Sequence, residues 1–530
     1  MYFPNFMSIG EQAMAVSELI NTRLKRLSNT GIPQEEFLYS CINEYMKDPK
    51  REMMLTAQNY FQNDNDIIHR ERYYIDRKGI KQKAENLSNN KLAHPYMKKF
   101  VNQKINYLLA KPFTVQCEDE QLLEVVKKAL GKKFKKMLKN VGKHAIIDGI
   151  SWVQVYYDLS GKLGFKRLPA DEIIPFWADA DHTVLEGLIR FYTITQYLPK
   201  GETKQITKVE YYTLEGVWYY IMEDDGLVPD PDKGEEVYGH FAVERPVMAR
   251  SEETGEEVQQ LDEEGNPLYE TVQSLWDKIP FIAFKYNAEE ISLLKWVKPL
   301  IDDYDLNTSD TSNVIQDVPN SIKVVKNYDG TDKDEFTHNL NVYRTAFVTG
   351  DGDMSTLETK LDIDAIDKHL DRTRKDLYEA ASCVDTQVTD LGNASGVALK
   401  FRYADLDMDC GDMANEFTSA MDELLWFVKV DLTSQTGVDY TDIDIDIIFN
   451  TDVVINETEV IDNASKSVGI ISDETILANH PWVEDAEEEL EKVKKQQEEQ
   501  AQTDLQRQEA QMDLMSQYGD DNNEEDDTEE

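Results

Sequence analysis

Residues 279–318 read IPFIAFKYNAEEISLLKWVKPLIDDYDLNTSDTSNVIQDV. The stretch opens on the apolar run Ile279-Pro280-Phe281-Ile282-Ala283-Phe284, which suits a buried strand. The period then changes. Leu293, Leu294, Val297, Leu300 and Ile301 recur at helical spacing and predict a long helix over Ile291–Val318. Pro299 should kink that helix or mark its true start, and Pro319 should end it. The chain therefore passes here from a β-rich part to a part built on long helices.

Upstream, helical spacing marks Met14–Leu27, Pro33–Lys47, Met53–Phe61 and Pro95–Leu109, the last closed by Pro112. Gln121–Val141 reads as one further helix, weakened by Gly131 and crowded with Lys127, Lys128, Lys132, Lys133, Lys135, Lys136 and Lys139, with Lys143 just beyond. From Ser151 to Tyr220 the period is two. Trp152–Tyr157, Phe165–Leu168, Leu188–Thr195 and Lys208–Thr213 predict one antiparallel meander, with acidic Glu223–Gln273 as a surface excursion. Downstream, Ile322–Val325 and Val342–Val348 read as strands. Ile363–Val384 and Ser395–Leu432 read as helices, the second stopped by Gly437. Tyr440–Phe449 alternates Asp and Ile like a half-wet strand. Asp473–Ala478 is a short helix, Pro481 opens a charged helix to about Leu505, and Gly519–Glu530 is an acidic tail expected to be disordered.

The chain has 530 residues, 41 % of them hydrophobic, which is enough for several packed layers. Its formal net charge of -46 argues against a general phosphate-gripping surface, since such contacts need basic residues. Cys41, Cys117, Cys383 and Cys410 have neither disulfide-framework nor zinc spacing, which fits reduced thiols in a cytoplasm. No run of about 18 apolar residues predicts a membrane span, and Met1–Gly10 lacks the basic start of a signal peptide.

Chemistry-bearing patterns are weak. Asp405-Leu406-Asp407-Met408-Asp409-Cys410-Gly411, with Glu416 at the twelfth position, resembles a calcium loop, but Cys410 stands where the turn needs glycine. A helical stripe through Phe401, Ala404, Met408, Phe417, Met421 and Leu424 also runs across it. Gly350-Asp351-Gly352-Asp353 suits a tight turn. Asp442, Asp444 and Asp446 share one strand face and would need further acids in a cleft to form a metal nuclease. There is no HExxH, P-loop or GxSxG pattern. The lysine cluster is a solvated face or a complement for an acidic partner.

Several motifs, in order, resemble the portal proteins of tailed bacteriophages, of the siphophage type from Gram-positive hosts. They are Asn90-Lys91-Leu92, then Asn106-Tyr107-Leu108-Leu109-Ala110-Lys111-Pro112, where Ala110 replaces a frequent glycine. Leu300-Ile301-Asp302-Asp303-Tyr304-Asp305 follows, with Ser309-Asp310. Next come Leu391-Gly392-Asn393-Ala394-Ser395-Gly396-Val397-Ala398-Leu399-Lys400-Phe401 and Ser472-Asp473-Glu474-Thr475-Ile476-Leu477. The resemblance spans about Asn90 to Leu490.

It implies an α+β fold with a helical stem, an α/β clip, a wing with antiparallel sheet and a helical crown. The implied divisions are 1–288 (N-terminal region and wing), 289–320 (first stem helix), 321–361 (clip), 362–384 (second stem helix) and 385–396 (tunnel loop). The rest are 397–455 (long wing helix and wing strand), 456–500 (crown) and 501–530 (acidic tail). At ~1.5 Å per residue the second stem helix would span roughly 35 Å. Implied stem residues are Asp302, Tyr304, Asp305, Lys368, Arg372, Arg374 and Lys375. Implied tunnel-loop residues are Asp385, Thr386, Gln387, Asp390, Gly392, Asn393 and Ser395, and implied clip residues are Lys323, Lys326 and Asn327. The resemblance further implies a dodecameric homo-oligomer passing double-stranded DNA. It would dock the large terminase, a head–tail adaptor and the major capsid and scaffolding proteins, in the virion after assembly in the host cytoplasm. It implies no enzyme activity, metal, cofactor or membrane contact. A non-portal capsid or adaptor protein is the alternative, with a metal-dependent nuclease behind it.

Overall fold

The computed structural model describes residues 32–520 apart from 76–77, 85–86, 159, 251–256, 260–267, 318–321, 327–352, 358–361, 388–395, 451–456, 479, 481 and 484–485. Five helices open it: α1 (Gln34–Tyr45), α2 (Pro49–Phe61), α3 (Tyr96–Leu109), α4 (Glu120–Ala129) and α5 (Lys132–Asp148). Asp48 caps α2 by accepting the Lys50 N–H at 2.7 Å, and Pro49 sits at its first position. The predicted apolar face of α3 is buried along its length. The predicted helix over Gln121–Val141 is in fact two. Gly131 takes an extended conformation as the N-cap of α5, so the periodic pattern runs on while the backbone turns a corner. The segment Met14–Leu27 lies outside the described residues.

The predicted single meander is two sheets. β4 (Ile150–Tyr157) and β5 (Leu163–Leu168) join β15 (Phe281–Lys285) in the order β15-β4-β5, while β6 (Ile173–Trp177), β7 (Leu185–Tyr197), β8 (Thr203–Thr213), β9 (Gly216–Glu223) and β10 (Gly226–Pro229) form a five-stranded antiparallel meander. Period two marks a strand but does not name its partner, and β4 is buried on both faces. Val153, Val155, Ile282 and Phe284 face α5 and the later helices. Trp152, Ile150 and Phe281 face the meander, where Trp152 stacks on Trp177 at 5.8 Å. The meander's other face is covered by Leu38 and Ile42 of α1. Small antiparallel pairs flank these sheets: β1 (Tyr73–Ile75) with β2 (Lys81–Lys83), β11 (Phe241–Pro246) with β14 (Tyr269–Ser274), β12 (Met248–Arg250) with β13 (Glu257–Gln259).

Past β15 come α6 (Leu294–Asp317), the hairpin of β16 (Ile322–Lys326) with β17 (Asp353–Leu357), α7 (Ile363–Ala380) and the 41-residue α8 (Gly396–Thr436). Pro299 lies inside α6 and does not start it. The preceding turn is closed by short-range bonds from Lys295 to Ser292 and from Trp296 to Leu293, so the proline costs one bond and the helix continues. α7 ends at Ala380, short of Val384, as Ser382 turns to φ 48°. Its 18 residues span roughly 27 Å at ~1.5 Å each. Val342–Val348 and most of the Gly350–Asp353 turn lie outside the described residues. Cys410, Met413, Phe417, Met421 and Leu424 bury one side of α8 in the main core with α3, α4 and α5. Of Tyr440–Phe449 only β18 (Asp446–Ile448) is strand, paired with β3 (Thr114–Gln116). The predicted alternation holds in burial: Ile445 and Ile447 are buried and Asp442, Asp444 and Asp446 exposed. The C-terminal part is helical, with α9 (Glu457–Ser467), α10 (Asp473–Ala478) and α11 (Ala486–Asp520). α11 starts after Pro481 and takes in Gly519, beyond the predicted end at Leu505.

Gly149 fixes the junction of α5 with β4. Its φ is +89°, and a Cβ there would stand 2.3 Å from the Glu290 carbonyl oxygen. Gly149→Ala is expected to cost about 2–4 kcal/mol, read as a lowered urea midpoint with unchanged slope. A wild-type midpoint would refute the close approach.

Candidate functional site: an antiparallel helix pair

α6 and α7 run antiparallel, with the β16–β17 hairpin between them in sequence. Asp303 links them, its Oδ2 lying 2.8 Å from His369 Nε2 and accepting from Thr373 Oγ1 at 3.5 Å. Neither Asp303 nor His369 was singled out in the sequence, although Asp303 sits inside the quoted motif. Leu377 and Tyr378 of α7 are buried against α3, Tyr378 edge-on to Phe100 at 5.3 Å.

The other side of α6 is held by an extended segment from near the N-terminus. Val297, Ile301, Asp305, Ser309 and Asn313 follow one another at four-residue steps, and all are buried. The row starts apolar and becomes polar. Asn313 Oδ1 accepts the Asn90 N–H at 2.6 Å, Ser309 Oγ the Leu92 N–H at 2.9 Å, and Asp305 Oδ1 the His94 N–H at 3.0 Å. Alternate residues of an extended chain rise about 6.6–6.8 Å, and four residues of helix rise about 6.0 Å, so the two repeats stay in step over three bonds. Asp305 is completed by Asn65 Nδ2 at 2.6 Å and by His94 Nδ1, 2.7 Å away.

The sequence-predicted stem residues therefore divide. Asp305 serves this zip. Asp302 accepts from the Tyr60 hydroxyl and from Lys298 Nζ (2.7 Å), and Tyr304 packs edge-on to His94 and Tyr96. Lys368, Arg372 and Lys375 lie on the exposed face of α7, where Arg372 meets Asp376 at 3.8 Å. Arg374 instead turns to Asp385 and donates two bonds of 2.9 Å. Asp385 also accepts the Gln387 N–H at 3.0 Å. Burial alone would raise the Asp385 pKa, but the bonds from Arg374 and Gln387 outweigh it and hold the carboxyl below its ordinary value. Thr386 and Gln387 are exposed. Asp390, Gly392, Asn393, Ser395 and Asn327 lie outside the described residues, while Lys323 and Lys326 are on β16, opposite Thr356 and Asp353.

The calcium-loop look-alike is helix: Asp405–Glu416 lies within α8. Asp442 and Asp444 precede the strand that holds Asp446. Among the described residues no group of three or more His, Cys, Asp or Glu could hold a metal ion, and no helix is long and apolar enough to cross a membrane.

The described residues form a mixed helix-and-sheet chain whose long helices α6 and α7 pack together with the antiparallel β16–β17 pair between them in sequence. Residues 43–503 match the model of the family described as phage portal protein, SPP1 Gp6-like, and the chain belongs to that family. It is 29 % identical over 485 residues to the portal protein of Bacillus phage SPP1, covering 91 % of this chain and 89 % of that one. It is 27 % identical over 463 residues to the portal protein of Clostridium phage phiCD119, covering 83 % and 91 %. A chain from the solved neck of a native GTA particle, computed with C12 symmetry, aligns with 73 % of this chain and 90 % of its own at 10 % identity and TM-score 0.36. The family resemblance carried by the motifs is thus borne out, and the non-portal alternative falls.

Asp305→Ala removes a buried carboxylate that accepts from the His94 N–H and Asn65 Nδ2 and lies beside His94 Nδ1, and is expected to cost about 3 kcal/mol; Ser309→Ala should cost about 1 kcal/mol. Equal losses in urea denaturation would contradict the zip. The Arg374–Asp385 contribution should be complete above pH 3.8, the ordinary value for Asp385, and be lost as pH falls through the lower folded value. Asp385→Asn should remove that component from a stability–pH profile.

Proposed function

We propose that copies of this chain form a ring, dodecameric as the family resemblance implies, whose channel carries double-stranded DNA into and out of the phage head. The α6–α7 pair carries this reading. It is anchored on one flank, exposed along α7 on the other, and has a hairpin at one end and the Asp385 loop at the other. In this reading 289–320 and 362–384 are the stem, 321–361 the clip, 385–396 the tunnel loop, 397–455 the long wing helix and strand, 456–500 the crown and 501–530 an acidic tail. Residues 1–288 supply the N-terminal region and wing. The ring would sit at one capsid vertex after assembly in the host cytoplasm. It would meet the major capsid and scaffolding proteins around the wing, the large terminase, and then a head–tail adaptor at the clip.

The exposed face of α7 alternates Asp364, Asp367, Asp371 and Glu379 with Lys368, Arg372 and Lys375. A wall of mixed sign gives the duplex, with one charge per about 1.7 Å, few places to stick.

Negative-stain images of the purified chain should show rings with a central hole, and a monomer under every condition would refute the reading. Deleting Gly392–Ser395 should leave rings intact while DNA packaging fails; normal packaging by that variant would remove the loop from the mechanism. Incubation with DNA and magnesium should give no cleavage, and cleavage would revive the nuclease alternative at Asp446.

A further inference from the structure

Two motifs remain unused by this reading: the lysine cluster of α5 and the acidic run of α8. Lys132, Lys136, Lys139 and Lys143 follow the spacing i, i+4, i+7, i+11, with Lys135 beside them, and so lie on one face of α5 opposite buried Phe134, Leu138 and Val141. Asp405, Asp409, Asp412 and Glu416 repeat the same spacing on α8. Each stripe is roughly 16 Å long at ~1.5 Å per residue.

Within one copy the stripes do not meet. Among the described residues no ion pair reaches Lys132, Lys135, Lys136, Lys139 or Lys143. Lys139 bonds the Asn106 side chain, Lys135 lies over Phe113 and Lys143 over Phe61. Of the four stripe acids on α8, Asp409 is held by buried Lys104 and the Tyr286 hydroxyl, and among the described residues no ion pair reaches Asp405, Asp412 or Glu416. Asp405 and Asp412 are exposed, and beside them Phe401 and Met408 are 79 % and 64 % exposed. These two open apolar side chains lie next to the acidic stripe on the side of α8 away from its buried residues, and together they make a mixed acidic and apolar surface.

We propose that the lysine stripe of α5 docks on the Asp405–Glu416 stripe of α8 in the next copy of the chain. A ring closed by one repeated head-to-tail contact needs two different, mutually complementary patches on every copy, and these stripes match in sign, spacing and length. The lysine stems can lie over Phe401 and Met408 while their ammonium groups reach the carboxylates. Copies of net charge -46 repel at long range, but that repulsion is largely screened beyond about 8 Å at physiological salt, whereas pairs in contact are screened less. A polynucleotide on the lysine stripe would leave the acidic stripe and its two open apolar side chains uncovered; a second copy covers both. The proposal rests on the ring reading above.

The test is assembly of the full chain across protein concentration, followed by mass photometry. Lys132→Glu with Lys136→Glu and Lys139→Glu should raise the concentration for half-assembly about tenfold or more, as should Asp405→Lys with Asp412→Lys. Combining the two sets should restore assembly, which also shows that both fold. Unchanged assembly in either set, or no recovery on combining them, overturns the pairing. So does a lysine variant that assembles normally but loses retention of a short DNA duplex, which would give the stripe to a polynucleotide. Wild-type chain that never assembles refutes the ring reading itself, and is seen without any variant.

Discussion

The three bonds from the N–H groups of Asn90, Leu92 and His94 to the side chains of Asn313, Ser309 and Asp305 determine where α6 stands. They join two chain segments more than 200 residues apart through backbone donors, so the match depends on register rather than on any one side-chain shape. A buried N–H left without an acceptor costs about 1–3 kcal/mol, so a slip of one residue would break all three bonds at once. Around this row, Arg70 meets Asp310 at 2.8 Å and Lys298 bridges Asp66 and Asp302. These contacts tie the N-terminal helices to α6, and α7 is linked to it through Asp303 and His369.

A second polar contact does the same for the sheets. Glu290 follows β15 just before α6, with φ 55° and its side chain almost wholly buried. Lys50 of α2 reaches it at 2.6 Å, His182 of the β6–β7 connection at 2.6 Å and Lys285 of β15 at 3.9 Å. Burial alone would raise its pKa; Lys50 and His182 outweigh that and hold it low. Replacing such a cluster with apolar groups can be neutral for stability. What the cluster supplies is direction: one carboxylate fixes the angle at which the chain leaves the sheet for the helix.

These contacts also show what the sequence could convey. The face of α3 was legible because apolar periodicity and burial coincide there, whereas on α8 they coincide only from Phe417 onward, since Phe401 and Met408 of the expected stripe are exposed. Along α6 the apolar stripe stops at Ile301 while burial continues through Asp305, Ser309 and Asn313. Nothing local announces that a polar residue will be buried when its partner is a backbone N–H far away in the chain. The motifs around Asn90 and Asp305 were recognised separately, and their meeting became visible only in three dimensions. The split of the sheets escaped for a similar reason: β4 is apolar on both faces, which tells of two neighbours without naming them. Gly131 could be read as a weakness, but whether a glycine bends a helix or ends it is decided by how the flanking pieces pack.

The two ends of the helix pair differ in how firmly they are held. Three bonds from backbone donors to the buried side chains of Asn313, Ser309 and Asp305 secure α6, and a buried acceptor left unpaired is costly. The Arg374–Asp385 pair that ties the Asp385 loop to α7 is partly open to solvent, with side chains 25 % and 18 % exposed. A pair of that kind is worth about 1 kcal/mol or less, since water competes for both partners. The wall of the pair is thus set by contacts that break together, and the loop by one that can break alone. On the ring reading proposed above, that gradient suits a conduit, with a frame that holds its bore under load and a loop that yields without disturbing the frame.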